Sequence, residues 1–302
     1  MHRILFFTLS NIGDAVLTTP ALEALQQCFP EAAIDLVADP RSAQLFAHCP
    51  YRGRIFHKKK KAGWQGLLSL VYQLRRVPYD LVVDLRTDGL AYLLRAQKRL
   101  TKRGIKPAGP HAVERHMAIV ASLRSPAAPI PPCRVWLQAK QVQFAKAQLS
   151  PLPGHRWLAL GPGANWLPKI WPASAFTALV NTVKNHFDGV VLVGGLQDRE
   201  RSQAISAHLP LPYVDLCGNT DLLQVAAVLQ QASIFVGNDS GLGHLAAAMN
   251  IPTLTLFGPG QPERYHPWGN RNAYVLAPNR QLAQLPATTV AQRLLQLLEK
   301  TP

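Results

Sequence analysis

Acidic residues are scarce in this chain. Of 302 residues, 17 are Asp or Glu against 32 Lys or Arg, a formal net charge of +15. The shortage is uneven. Residues 1–150 hold 9 acids against 22 bases, a balance of +13, and residues 151–302 hold 8 against 10, a balance of +2. A basic half beside a near-neutral one points to one large anionic partner for the first half: a nucleic acid, an anionic membrane surface or an acidic glycolipid. Cysteine is also sparse. Cys28, Cys49, Cys133 and Cys217 form no CxxC pair and have no His set at zinc-ligand spacing, so reduced, partly buried thiols are expected. No apolar run reaches the ~18 residues of a membrane span. The opening Met1-His2-Arg3-Ile4-Leu5-Phe6-Phe7 enters a strand pattern with no small-residue cleavage site after it, and a cytoplasmic chain is expected. Asp-x-Asp and His-Glu-x-x-His are missing, so nothing supports a metal-dependent mechanism and no cofactor is expected. Gly-x-Ser-x-Gly and the P-loop pattern are missing too, which disfavours an esterase or a P-loop kinase.

What remains is ordinary globular composition, 48% hydrophobic and 16% charged. Short apolar runs alternate with helical periodicity. Strand patterns at residues 3–8, 33–38 and 80–85 interleave with helical ones at 14–28, 41–48, 63–76, 88–97 and 113–123. A Pro-rich stretch at 125–133 and a second break at 150–154 interrupt the series. It resumes with strands at 156–160, 190–193, 213–216, 232–236 and 252–257 and helices at 173–186, 197–208 and 222–231. Such βα repetition predicts parallel sheets, α/β class, in two Rossmann-like domains, 1–150 and 151–302, facing each other across a cleft. The last helix, 287–300, could close over either half.

Chemistry-bearing residues gather where strands give way to helices. The most informative stretch runs from Val236 through Asn238-Asp239-Ser240-Gly241-Leu242-Gly243-His244 to Ala248. It reads as strand, tight loop and helix. Thin glycine backbone and a helix start suit an anion, and Asp239 adds an acceptor for sugar hydroxyls. His244 is either a hydrogen-bonded core histidine or a phosphate or sugar contact. In Ser10-Asn11-Ile12-Gly13-Asp14, Asp14 is either a helix cap or a general base projecting from the sheet edge. In Gly161-Pro162-Gly163-Ala164, followed by Lys169-Ile170-Trp171-Pro172, Lys169 is either a solvated lysine or a contact for a phosphate at the ligand edge. After residues 190–193, Asp198 and Glu200 are open to ribose contact, with helix capping and a solvated face as the alternatives. Lys58-Lys59-Lys60-Lys61 is a solvated loop or part of a basic patch that Arg75, Arg76, Arg115 and Lys98, Arg99, Lys102 and Arg103 could widen.

Together these residues resemble glycosyltransferase family 9, the lipopolysaccharide heptosyltransferases. Three anchors carry the resemblance and span nearly the whole chain: residues 10–22, the Lys169-Ile170-Trp171-Pro172 block behind Gly161–Ala164, and residues 238–248 leading into Leu256-Phe257-Gly258-Pro259. The resemblance implies a GT-B fold and metal-independent, inverting transfer of heptose from ADP-heptose to inner-core lipopolysaccharide. It implies Asp14 as base. It implies donor contacts from Lys169 to the diphosphate, from Asp239 to the sugar and from Ser240, Gly241 and Leu242 through backbone; Gly163, Glu200 and His244, on the same domain's loops, are further donor-side candidates. Acceptor contacts would come from Ser10, Arg115 and the Lys58, Lys59, Lys60, Lys61 run. It implies a monomer at the cytoplasmic face of the inner membrane, docked on an anionic Kdo-containing lipid. A family member with another acceptor or sugar, a catalytically dead relative, and a nucleic-acid-binding module are the rivals. The last lacks an aromatic stacking platform among its basic residues and leaves the Asp14 and Asp239 loops unexplained.

Overall fold

The computed structural model describes residues 1–58, 63–86 and 88–300. They form two compact domains, Met1–Trp136 and Leu137–Pro302. The first is built on five parallel strands, β1 (Arg3–Phe7), β2 (Ala33–Ala38), β3 (Arg52–His57), β4 (Tyr79–Asp84) and β5 (Ala96–Leu100), in the order β3-β2-β1-β4-β5. Its helices are α1 (Ile12–Val16), α2 (Thr19–Cys28), α3 (Pro40–Ala43), α4 (Gly63–Arg75), α5 (Asp88–Tyr92) and α6 (Ala112–Val120). The central strands carry unbroken apolar runs, residues 4–7 in β1 and 81–83 in β4, because helices cover both faces. Leu5, Phe7, Val37, Val82, Leu70, Leu74 and Leu90 share one core cluster.

Two departures from the sequence pattern have local causes. Residues 14–28 are two helices. Pro20 has no N–H to give the Val16 carbonyl, and the Thr19 hydroxyl donates to it instead at 2.7 Å. The Thr18 hydroxyl donates in the same way to the Ala15 carbonyl, also at 2.7 Å. Residues 88–97 are not one helix either. α5 ends at Tyr92, and Arg99 donates to the Ala91 and Leu94 carbonyls at 3.1 and 2.8 Å. The chain then pairs with β4 as the edge strand β5.

The second domain opens with α7 (Ala139–Leu149), which packs on α10 (Leu222–Gln231). The division therefore falls after Trp136 and not at residue 150. Ala145 and Leu149 supply the buried face that ties α7 to this domain. Six parallel strands follow: β6 (Trp157–Gly161), β7 (Gly189–Leu192), β8 (Tyr213–Asp215), β9 (Ile234–Asn238), β10 (Thr253–Phe257) and β11 (Asn272–Leu276). Their order is β11-β10-β9-β6-β7-β8. The remaining helices are α8 (Ala173–Val183), α9 (Arg199–Ser206), α11 (Gly241–Ala248), α12 (Pro262–Tyr265) and α13 (Ala287–Glu299). α13 packs on α8 and β11 through Val290, Ala291, Leu294 and Leu297, so the last helix belongs to its own domain's core. Trp171 anchors the same core, edge-on to Phe176 and donating from Nε1 to the Leu285 carbonyl at 3.0 Å.

Each sheet is wound outward in both directions from its first strand. The direction of winding changes between β1 and β4 in the first domain and between β6 and β9 in the second. Loops leaving the carboxyl ends of such a strand pair diverge and open a crevice, the usual ligand position in open α/β sheets. Among the described residues, no helix is long and apolar enough to cross a membrane.

Candidate functional site

At the β6/β9 switch of the second domain, the loop after β6 carries Lys169 and the loop after β9 carries Asp239. Lys169 Nζ lies 2.5 Å from Asp239 Oδ2, with the two side chains 24% and 11% exposed. Asn238, fully buried at the end of β9, fixes this juxtaposition. Its Oδ1 accepts from the Trp171 backbone N–H at 3.0 Å and its Nδ2 donates to the Pro162 carbonyl at 2.8 Å. One amide thus clamps both ends of the Lys169 loop to the strand that presents Asp239. Asp239 is held in turn by its own N–H on the Leu256 carbonyl at 3.1 Å. Gly260 lies so close that a Cβ there would sit 2.5 Å from Asp239 Oδ2.

Ser240 caps α11, its hydroxyl accepting from the Leu242 N–H at 3.4 Å. Gly241 and Leu242 form the first turn, whose N–H groups and partial positive charge face the same edge. His244 is buried one turn on. Gly163 is required sterically, since a Cβ would come within 2.2 Å of an Asp198 carboxylate oxygen. Asp198 itself is buried, accepting from the Gly195 N–H at 2.9 Å and pairing with Arg201 at 3.2 Å. Asp198 is thus a turn-holding residue. Glu200 is exposed on the first turn of α9.

At the β1/β4 switch of the first domain, Asp14 is the third residue of α1 and not its cap. Asn11 holds the cap position, and its Nδ2 donates to Asp14 Oδ2 at 2.9 Å. The loop before it is fixed from several sides. The Thr8 and Thr18 hydroxyls share a hydrogen bond of 2.7 Å, the Ser42 hydroxyl donates to the Leu9 carbonyl at 3.1 Å, and Ser10 is buried. Asp14 thus projects from a braced turn. Lys58 follows edge strand β3, its N–H on the Ala38 carbonyl at 2.9 Å, and Arg115 is exposed on α6. Lys59, Lys60 and Lys61 lie outside the described residues.

Two residues that brace these loops carry little signal in the sequence. Asn238 stands in the loop motif, and its signal was a polar residue closing an otherwise apolar strand. His116 carries no motif. Buried on α6, its Nδ1 lies 3.1 Å from the Leu17 carbonyl at the end of α1, and desolvation pulls its pKa from 6.5 to about 4. Asp14 is near enough for its charge to oppose that shift.

A neutral buried His has a stability consequence. Between pH 6.5 and about 4 the unfolded chain takes up a proton that the folded chain refuses, so stability falls as the pH drops through that window. The loss attributable to His116 is about 3 kcal/mol at its largest. Denaturant melts of the wild type and His116→Gln from pH 7 to pH 4 should converge or cross as the pH falls. Parallel curves would show that His116 does not titrate in this way.

Burial raises the thiols of Cys49 to about 11 and of Cys133 and Cys217 to about 12, which leaves them inert near neutral pH. Among the described residues, no group of three or more His, Cys, Asp or Glu could hold a metal ion.

The model of glycosyltransferase family 9 (heptosyltransferase) matches residues 89–294. Lipopolysaccharide heptosyltransferase 1 of Pseudomonas aeruginosa is 31% identical over 296 residues, 86% of this chain and 79% of that protein. Among solved structures, a family 9 glycosyltransferase from Veillonella parvula superposes with a TM-score of 0.87 at 19% identity, over 99% of this chain and 98% of that one. The ADP-heptose lipopolysaccharide heptosyltransferase II of Escherichia coli does so with a TM-score of 0.81 at 23% identity, over 99% of each. These two likenesses establish the architecture, two Rossmann-like domains of the GT-B class, and the sequence matches establish the lineage. The chain belongs to glycosyltransferase family 9 and is a glycosyltransferase.

Proposed function

We propose that this enzyme transfers heptose from ADP-heptose to a hydroxyl of an inner-core lipopolysaccharide acceptor, with inversion at the anomeric carbon. The observation that carries the reading is the juxtaposition, at one topological switch, of the Lys169 cation, the Asp239 carboxylate and the Ser240-capped first turn of α11. A cation beside the backbone N–H donors of a helix start matches a diphosphate. A carboxylate on the same edge accepts from sugar hydroxyls. The names of the relatives, lipopolysaccharide heptosyltransferases that include an ADP-heptose enzyme, support donor and acceptor.

In this reading Asp14 accepts the proton of the acceptor hydroxyl as its oxygen attacks the anomeric carbon. The bond from that carbon to the diphosphate oxygen breaks, and its electron pair leaves with ADP. Lys169 and the α11 turn offset the charge that grows on the leaving oxygen. Asp239 fixes the heptose ring by accepting from its hydroxyls, with Ser240, Gly241 and Leu242 closing on the donor through backbone and Gly163, Glu200 and His244 lining the same domain's edge. Ser10, Arg115 and the Lys58–Lys61 run meet the anionic acceptor. The first domain binds acceptor and the second binds donor. The excess charge of the first half draws the enzyme, as a monomer, to the anionic cytoplasmic face of the inner membrane.

Incubation of the purified protein with ADP-heptose and a heptose-deficient lipopolysaccharide tests the proposal. The expected result is a heptose mass increment on the acceptor by mass spectrometry, with release of ADP. Tight binding of ADP-heptose without an increment would exclude this acceptor. Absence of binding, with another nucleotide sugar accepted in its place, would remove heptose from the assignment.

A further inference from the structure

α4 has two apolar faces, and only one is covered. Leu70 and Leu74 point into the first domain's core. Trp64, Leu68 and Tyr72, spaced by four residues along another face, are 70%, 56% and 63% exposed, and Leu67 is exposed beside them. Residues four apart stack along one side of a helix, so these side chains make a continuous stripe about 12 Å long. An uncovered patch of this kind on a monomeric surface marks a binding face. α5 shares the core cluster that α4 packs into, and it adds exposed Tyr92 and, just past its end, Leu93.

The charge around the stripe says what covers it. From residue 40 to residue 79 the chain contains no Asp or Glu and nine Lys or Arg. Arg75 and Arg76 are exposed at the end of α4. Arg76 lies over the Tyr72 ring, 4.5 Å from its centroid, and donates to the Tyr72 hydroxyl at 2.8 Å. Lys59, Lys60 and Lys61 lie outside the described residues and count here only as charge in the sequence just before the helix. Aromatic and aliphatic side chains along a helix flanked by bases, with no acid among them, fit the boundary between headgroups and acyl chains of an anionic bilayer. A nucleic acid would match the charge but has no use for Leu67 and Leu68.

We infer that the outer face of α4 is an interfacial anchor that inserts Trp64, Leu67, Leu68 and Tyr72 into the headgroup region of an anionic lipid bilayer. The inference rests on the membrane-borne acceptor proposed above and adds to it the surface that makes the contact. The basic segment supplies attraction and the stripe supplies residence, since either alone holds a protein only weakly on lipid.

Flotation with vesicles of equal parts phosphatidylcholine and phosphatidylglycerol, compared with phosphatidylcholine alone, tests it. The wild type should float with the anionic vesicles and far less with the neutral ones. The triple variant Trp64→Ser, Leu68→Ser, Tyr72→Ser should partition about tenfold less or weaker still. Its melting temperature should match the wild type's, and so should its transfer to a deacylated, water-soluble acceptor. Equal flotation of both proteins would overturn the anchor while leaving a charge-driven membrane contact. No flotation of the wild type would overturn both. A variant that converts a wild-type oligomer to monomers without changing flotation would assign the stripe to a second copy of the chain. Stripe-dependent flotation with no transfer by either protein would uphold the anchor and remove the proposed reaction.

Discussion

Replacing Asp14 by Asn is expected to lower heptose transfer by about 10²–10⁴-fold, the usual contribution of a positioned general base. The substitution removes only the ability to take a proton. The new amide oxygen can still accept the Asn11 Nδ2 hydrogen bond that now reaches Asp14 Oδ2 at 2.9 Å, so the turn keeps its shape. Folding should change little. Asp14 is not the cap of α1, and a carboxylate in a first turn adds about 0.3–1 kcal/mol through the helix dipole. Donor affinity should be unchanged, because the groups assigned to the donor all belong to the second domain. Steady-state kinetics at saturating donor and acceptor, a donor titration and a thermal melt together distinguish a lost base from a damaged fold. A variant that keeps its turnover within a few-fold would remove Asp14 from the chemistry and leave it as a charge on a helix end.

Which parts of this molecule could be read in advance follows a physical division. Buried parallel strands are runs of apolar residues, and β1, β2, β4, β6, β7, β9 and β10 stand out in the sequence for that reason. Edge strands are built otherwise. A sheet edge exposes unpaired backbone, and charge and polarity there deter unwanted pairing. β3 contains Arg52 and Arg54, β5 contains Gln97, Lys98 and Arg99, and β11 opens on Asn272, so none of the three resembled a strand. β8, the fourth edge, kept enough apolar character in Tyr213 and Val214 to be recognised. The split between α1 and α2 was hidden for another reason. Pro20 sits where the apolar periodicity runs on unbroken, and only the Thr19 hydroxyl on the Val16 carbonyl reveals the acceptor it leaves open.

The candidate site is legible in the sequence to the extent that its residues lie in contiguous loop motifs. Asp14, Lys169, Asp239 and Ser240 each follow a recognisable strand, and sheet winding puts them at switch points. Their bracing was not legible. Asn238 bonds across 67 and 76 residues, to Trp171 and Pro162, and His116 reaches the Leu17 carbonyl 99 residues away. Such contacts depend on tertiary packing, and a single sequence carries no periodicity for them. The same holds for the direct Lys169–Asp239 contact, across 70 residues. The two residues were assigned to different parts of the donor, and in the free protein they hold each other.

That contact makes Lys169 the most informative position after Asp14. Lys169→Ala is expected to lower transfer by about 10²–10³-fold, the usual loss when one group facing a developing anion is removed. It should also destabilise the fold by about 1–3 kcal/mol, because the partly buried Asp239 carboxylate loses its cation. A purely structural pairing would produce both losses too, so the single variant does not decide between the roles. A double-mutant cycle with Asp239→Asn does. Once Asp239 is neutral, nothing is left unpaired by the loss of Lys169, and the stability of the double variant should recover relative to the sum of the singles. Transfer should not recover, since cation and carboxylate act on different parts of the donor, the diphosphate and the sugar. Folding free energies would then show strong coupling while activities stay low in all three variants. Recovery of transfer together with stability would mean that Lys169 serves only to hold Asp239 in place, and the diphosphate would have to be met by the α11 turn without it.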